Sequence, residues 1–280
     1  MLPSVLALLS AFAYGAADFL GGLATHRSNA TAVVIVSQAA GLALLAAVIF
    51  FLPGSLPQAR DLAWGGIAGL AGGGGVALLY RALAIGPMSI VAPLTAVCAA
   101  LIPVAVGVAL GERPTPATMV AIALALVAIV LVGQEPRRGT ATTVRWDGLR
   151  IALGSGVLIG IFLVALARAS PASGLWPLIP ARVTSTGMFV AIALASGRSM
   201  RLPTPVLPAA IGGGALDMLA NALYLTAVQR GPLSLMATLA SLYPASTILL
   251  ARVFLKERLS PMQAGGIACA VVATVLLVSG

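Results

Sequence analysis

Apolar runs of about twenty residues follow one another along the chain, parted by short breaks that hold charges, prolines or turn residues. A helix needs ~20 residues to cross the ~30 Å hydrocarbon core of a bilayer. The runs predict helices over residues 3–24, 31–52, 62–85, 87–110, 115–133, 148–169, 174–196, 206–229, 232–254 and 260–279. The ~10-residue alternating segments of a transmembrane barrel do not occur. The backbone groups must therefore be satisfied within helices. The longest break, 134–147, falls at the middle of the chain and carries Glu135, Arg137, Arg138, Arg145 and Asp147.

The pattern repeats. Residues 79–116 contain Leu79-Tyr80, Gly86-Pro87-Met88-Ser89, Glu112-Arg113 and Pro116, and residues 223–261 contain Leu223-Tyr224, Gly231-Pro232-Leu233-Ser234, Glu257-Arg258 and Pro261. The offset is 144 before the Gly-Pro pair and 145 from it onward, as if one residue were inserted in the second copy. Each half holds five helices, and an odd number makes the second copy enter the membrane from the opposite side. The expected fold is thus an all-α polytopic membrane protein, ten transmembrane helices as two inverted five-helix repeats. The expected division is 1–133, a connection at 134–147, and 148–280.

Composition agrees with lipid as the main solvent. The 280 residues are 60% hydrophobic and 8% charged, against the ~25% charged of a soluble domain, and mean hydropathy is +1.08. The net charge of +9 comes from basic residues in the breaks, which set topology rather than bind nucleic acid. Cys98 and Cys269 lie inside apolar runs without metal spacing, and His26 is the single histidine, so no metal or cofactor site is expected. Residues 2–24 lack a basic n-region and exceed a typical signal-peptide core, which reads as a retained first helix.

At Gly231-Pro232-Leu233-Ser234, Leu242-Tyr243-Pro244, Leu255-Lys256-Glu257-Arg258-Leu259-Ser260-Pro261 and Leu110-Gly111-Glu112-Arg113-Pro114-Thr115-Pro116 the chain resembles the EamA-type family of the drug/metabolite transporter superfamily. The resemblance covers essentially the whole chain. It implies a ten-helix exporter or exchanger of amino acids, nucleotide sugars, drugs or other metabolites, with a central cavity between the halves, in a bacterial plasma membrane. Two positions depart from the family pattern: Tyr243 stands before Pro244 where an acid is common, and the matching pair in the first half is Cys98-Ala99.

Two acidic residues, Asp18 and Asp217, lie within the predicted spans, and intramembrane acids generally face a bundle interior or a watery cavity. Asp217, Asn221 and Tyr224 form an i, i+4, i+7 stripe on one face. That stripe either lines the cavity, with Asp217 binding a cationic group or exchanging a proton, or serves structurally with Arg182 as partner. Asp18 shares a face with Ser10 and Tyr14, and pairs with Arg81 or binds substrate. Arg182, with Gln38 as its nearest polar counterpart in the second helix, is placed to fork onto a carboxylate or to snorkel; with Asp217 it would suit a zwitterion. Tyr80 and Tyr243 complete the candidate substrate-binding set. The glycine runs at Gly69, Gly72–Gly75 and Gly212–Gly214 either pack helices closely or mark the binding region. Pro93, Pro103, Pro177, Pro180 and Pro244 are candidate kinks.

Counted by alternate sides, eleven Lys and Arg fall on one face and five on the termini-bearing face. The positive-inside rule then places both termini outside, whereas the family resemblance implies termini inside. The leading function is a secondary transporter of small polar metabolites, amino acids or related compounds, with membrane lipid and a small-molecule substrate as partners. Proton coupling through Asp217 or Asp18 and uncoupled exchange are both compatible with the pattern. No phosphate-binding loop supports ATP coupling. An organic-cation exporter and a non-transporting assembly subunit are the alternatives, and a lipid-directed enzyme finds no nucleophile–base pair or metal motif.

Overall fold

The computed structural model describes residues 1–51, 55–85, 88–134, 146–197, 199–256 and 259–279. Gly86-Pro87, Glu257-Arg258 and most of the predicted 134–147 connection lie outside these residues. The helices are α1 (Leu2–Thr25), α2 (Ala30–Val48), α3 (Ala59–Ile85), α4 (Met88–Ala109), α5 (Pro116–Val132), α6 (Trp146–Ala167), α7 (Leu178–Ala195), α8 (Leu207–Val228), α9 (Leu233–Ala240), α10 (Tyr243–Phe254) and α11 (Pro261–Ser279). Among the described residues nine segments are long and apolar enough to cross a membrane, with α9 and α10 counted as one, and the 17-residue α5 makes about ten. This is a multi-pass membrane protein. Its periphery agrees, since Leu9, Phe12, Leu70, Val120, Val253, Val271 and Val275 are all exposed apolar side chains with lipid as their solvent.

Local chemistry sets the helix ends. Asn29 caps α2 by accepting from the Thr31 N–H at 2.9 Å. Thr115 caps α5 by accepting from the Thr118 N–H at 3.2 Å, with Pro116 at the first helical position. The ninth span, expected as one helix, is broken after Ala240. Pro244 has no N–H to give to residue 240 and its ring crowds that carbonyl, so α9 stops there and α10 restarts at Tyr243. The seventh helix begins at Leu178, after a 3-10 turn at Pro171–Ser173, and so starts four residues later than the apolar run.

The packing is pseudo-two-fold. One bundle joins α1 and α2 to α8, α9 and α10; the other joins α6 and α7 to α3 and α4; α5 packs on α11. Each bundle therefore mixes both repeats. The symmetry reaches single hydrogen bonds: Ser10 Oγ donates to the Ala220 carbonyl at 2.8 Å, and Ser155 Oγ donates to the Gly75 carbonyl at 2.8 Å. Both pairs are related by an offset of 145, inside α3 and α8 as well as beyond them. The two Leu-Tyr pairs are consequently one helical position out of register, about 100° around the axis. Tyr224 is fully buried while Tyr80 is 37% exposed. Removing either hydroxyl, by Ser10→Ala or Ser155→Ala, should cost a similar ~0.6 kcal/mol in thermal unfolding; a cost confined to one would break the equivalence.

The glycine runs serve close packing. A side chain at Gly69 would run into the Ala181 carbonyl and Thr184, and one at Gly214 would run into the Ser37 backbone. These are equivalent contacts, α3 on α7 and α8 on α2.

Candidate functional site

Asp217 lies ten residues into α8, about 15 Å from its start at 1.5 Å per residue, which is half the depth of the hydrocarbon. It forms an ion pair with Arg182 of α7. The guanidinium also donates from Nη1 to Gln38 Oε1 of α2 at 2.9 Å, and Ser185 Oγ donates to the same oxygen at 2.6 Å. Gln38 and Arg182 occupy matching places on α2 and α7, so this cluster sits at the pseudo-two-fold axis and ties one bundle to the other. The arginine side chain is 10% exposed and the aspartate 35%. The pair is thus half in the packed interior and half towards open space.

Around it the first bundle is polar. Asn221 Nδ2 donates to the Asp217 carbonyl at 2.7 Å and to its Oδ2 at 3.3 Å. Tyr14 donates its hydroxyl to Asn221 Oδ1 at 2.9 Å. The Tyr14 and Tyr243 rings are 6.2 Å apart and tilted by 59°, and the break between α9 and α10 is what places Tyr243 there. Asp18 lies one turn beyond Tyr14 on α1 and is exposed. The structure therefore brings Asp217, Asn221, Arg182, Gln38, Tyr14 and Tyr243 together between the bundles, with Asp18 one turn along α1 from Tyr14; Tyr80, on α3, makes no hydrogen bond or ring contact to them among the described residues. Tyr224 is separate: it is buried and donates to the Leu163 carbonyl at 3.1 Å. Of the two structural pairings anticipated, Arg182–Asp217 forms. Asp18 and Arg81 make no ion pair among the described residues. Arg81 instead lines, with Ile85, Asp147, Arg150 and Ile151, a cavity of about 460 Å³ at the end of α3.

The polar set has no two-fold image. An offset of 145 carries Tyr14, Asp18, Asp217, Asn221 and Tyr243 onto Ile159, Leu163, Gly72, Val76 and Cys98. The scaffold is duplicated, and one copy of this surface is polar.

The two ends of the bundle differ as well. On the termini-bearing side the Glu112 carboxylate, at the end of α4, accepts the N–H groups of Leu233 and Ser234 at the start of α9, the latter at 3.0 Å. Asp61 Oδ1 accepts the Ser170 N–H at 2.8 Å, Ser55 N–H donates to the Ala172 carbonyl at 2.8 Å, and Gln229 Nε2 donates to the Gly174 carbonyl at 3.1 Å. Asp61 escaped the sequence reading because α3 starts three residues before the apolar run. One apolar core joins both bundles on this side. On the opposite side the core divides into a cluster of Ala24, Val33, Val206 and Ala210 and another of Ala82, Val91 and Ala152.

No curated protein matches the chain. A crystal structure of a protein 20% identical in sequence superposes with a TM-score of 0.73, over 96% of this chain and 95% of its own; the likeness is one of fold. The EamA-like transporter family matches residues 1–134 and again residues 146–279. Two matches that together span nearly the whole chain, on a fold of two inverted repeats, place this protein in the EamA-like transporter family of the drug/metabolite transporter superfamily.

Proposed function

We propose that the protein is a secondary transporter in a bacterial plasma membrane, exporting or exchanging small polar metabolites, amino acids or related compounds, by alternating access. One observation carries the mechanism. Leu163 and Leu225 are buried at 7% and 0% on the termini-bearing side, while their repeat equivalents on the other side, Asp18 and Tyr80, are exposed. Equivalent positions thus stand in two environments, and two-fold packing makes the exchanged arrangement nearly equal in energy. The bundles rock about the Arg182–Asp217–Gln38 cluster, and the repeats 1–133 and 148–280 contribute helices to both moving bodies. In this reading Asp18 or Asp217 also carries the coupled proton.

The test is counterflow of labelled amino acids and amines into proteoliposomes preloaded with the unlabelled compound. Absence of exchange for every class by well-folded protein refutes transport of these metabolites. Uptake driven by an imposed pH gradient, and lost in Asp18→Asn, assigns the proton to that carboxylate; exchange indifferent to the gradient removes coupling. Glu112 supplies a separate prediction. A glutamine has one accepting oxygen for the two N–H groups of α9, so Glu112→Gln loosens the seal and shifts the population towards opening on the termini-bearing side. Faster labelling of Leu163→Cys by a maleimide, in a background lacking Cys98 and Cys269, is the expected readout. An unchanged labelling rate counts against Glu112 as part of the seal.

A further inference from the structure

The cavity at the end of α3 stands apart from the cluster between the bundles. Its volume is about 460 Å³, and in it Arg81 and Ile85 of α3 meet Asp147, Arg150 and Ile151 of α6. That size lies within the range of sites that take a small molecule. Ile151 also packs on the core of Ala82, Val91 and Ala152, so one wall is apolar and anchored. The guanidiniums of Arg81 and Arg150 make no hydrogen bond or ion pair among the described residues. Two arginines and one aspartate leave the cavity with one net positive charge.

The helix faces show what the cavity opens onto. α6 turns Ser155 and Ile159 to Gly75 of α3, and Gly156 and Gly160 to Cys98 and Ile102 of α4. The face turned away from both carries Arg150, Leu153, Val157 and Ile161, at i, i+3, i+7 and i+11, and all four are exposed. On α3, Arg81 and Ile85 share an exposed face with Ile67 and Leu70. Both arginines thus stand at the head of apolar surface that runs down into the hydrocarbon. Each lies four residues from a helix end, Ile85 or Trp146, and so about 6 Å inside it. Trp146 is 77% exposed, which suits an aromatic side chain at the membrane–water interface. This is the depth of lipid phosphates.

We propose that this cavity binds an anionic phospholipid, with its phosphodiester between Arg81 and Arg150 and an acyl chain along Leu153, Val157 and Ile161. Basic pockets between transmembrane helices suit such head groups, and a single phosphodiester neutralises the net charge here. A choline head group would bring its own cation against two guanidiniums. A soluble phosphate would leave the apolar stripe unused. Since α3 belongs to the first repeat and α6 to the second, the bound lipid joins the repeats within one bundle, whether or not that bundle moves in transport. An offset of 145 carries Arg81, Asp147 and Arg150 onto Thr226, Leu2 and Val5. The equivalent positions on the termini-bearing side therefore lack these charges.

The test is thermal unfolding of the full-length protein in detergent, titrated with phosphatidylglycerol, with phosphatidylcholine of the same acyl chains, or with glycerol 3-phosphate. Phosphatidylglycerol alone should raise the melting temperature. Arg81→Ala and Arg150→Ala should each weaken that response by at least about fivefold, and the double variant should abolish it. Arg81→Lys and Arg150→Lys keep the charge, and should keep the preference for phosphatidylglycerol over phosphatidylcholine. Arg201→Ala removes the same charge from an exposed position elsewhere on that side, and should leave the response unchanged. Equal stabilisation by the two lipids overturns the proposal. So does equal stabilisation by glycerol 3-phosphate, which would make the cavity a site for a soluble phosphate. A response that Arg201→Ala weakens as much would mean general attraction to a basic surface, and one that survives the double variant would place the lipid elsewhere; either result refutes the site.

Discussion

Asp217→Asn lowers the unfolding free energy by about 3 kcal/mol, the low end of the range for breaking a buried ion pair, because the aspartate itself is a third exposed. The loss falls on Arg182. Its guanidinium is nine-tenths buried and would retain Gln38 as its partner but no counter-charge. Asparagine can still accept a hydrogen bond, so what disappears is the charge. Arg182→Met alone should also destabilise, by leaving Asp217 uncompensated. The double variant should be more stable than the sum of the two losses, since neither charge is then stranded. Thermal unfolding of the four proteins in one detergent measures the coupling. Simple additivity would mean that the pair contributes no net attraction and that each residue acts through packing alone. The same cycle bears on function, because this pair crosses from one bundle to the other near the pseudo-two-fold axis.

Gly214→Leu should prevent α8 from seating on α2 and cost about 3 kcal/mol or more, the upper range for overpacking. The obstacle is backbone. A side chain at 214 meets the Ser37 carbonyl, and Gly41 on the facing helix already lies against the Gly214 carbonyl. No rotamer change relieves contact between two main chains, so the helices must separate. Gly69→Leu should behave alike, against the Ala181 carbonyl and Thr184, because the two crossings are equivalent. Gly265 in α11 provides the contrast, with open space where a side chain would sit. Gly265→Ala should be neutral or stabilising by up to about 1 kcal/mol. Melting of the three variants beside the native protein decides it. A Gly214→Leu protein that melts like the native one would mean that the α2–α8 contact is dispensable.

Much of this was legible along the chain. Ten apolar runs specify ten spans, because lipid leaves the backbone no other solution, and paired segments separated by 144 or 145 residues reveal the duplication. Asp18, Asp217 and Arg182 were conspicuous for the same reason, since ionised groups inside a membrane are too costly to be incidental. The one-residue slip in matching Leu79-Tyr80 to Leu223-Tyr224 shows where a linear comparison stops. Identical dipeptides suggest one alignment, while the Ser10–Ala220 and Ser155–Gly75 hydrogen bonds set another. On a helix one residue is 100°, which separates the buried Tyr224 from the exposed Tyr80.

The sequence by itself determined that the chain crosses the membrane about ten times in two inverted repeats and which few charges lie within the spans. The tertiary structure decided everything that depends on which helix faces which. It settled that the repeats exchange helices to form two mixed bundles, that Arg182 takes Asp217 while Asp18 is left without a partner among the described residues, and that the termini-bearing end is sealed and the other divided. The physical reason is that hydropathy fixes how deep a residue sits, since the bilayer is a one-dimensional solvent, but lipid is as apolar as the helices it surrounds. It gives no preference among helix neighbours. Those are chosen by close contacts such as Gly214 on Ser37, which no periodicity in the chain encodes.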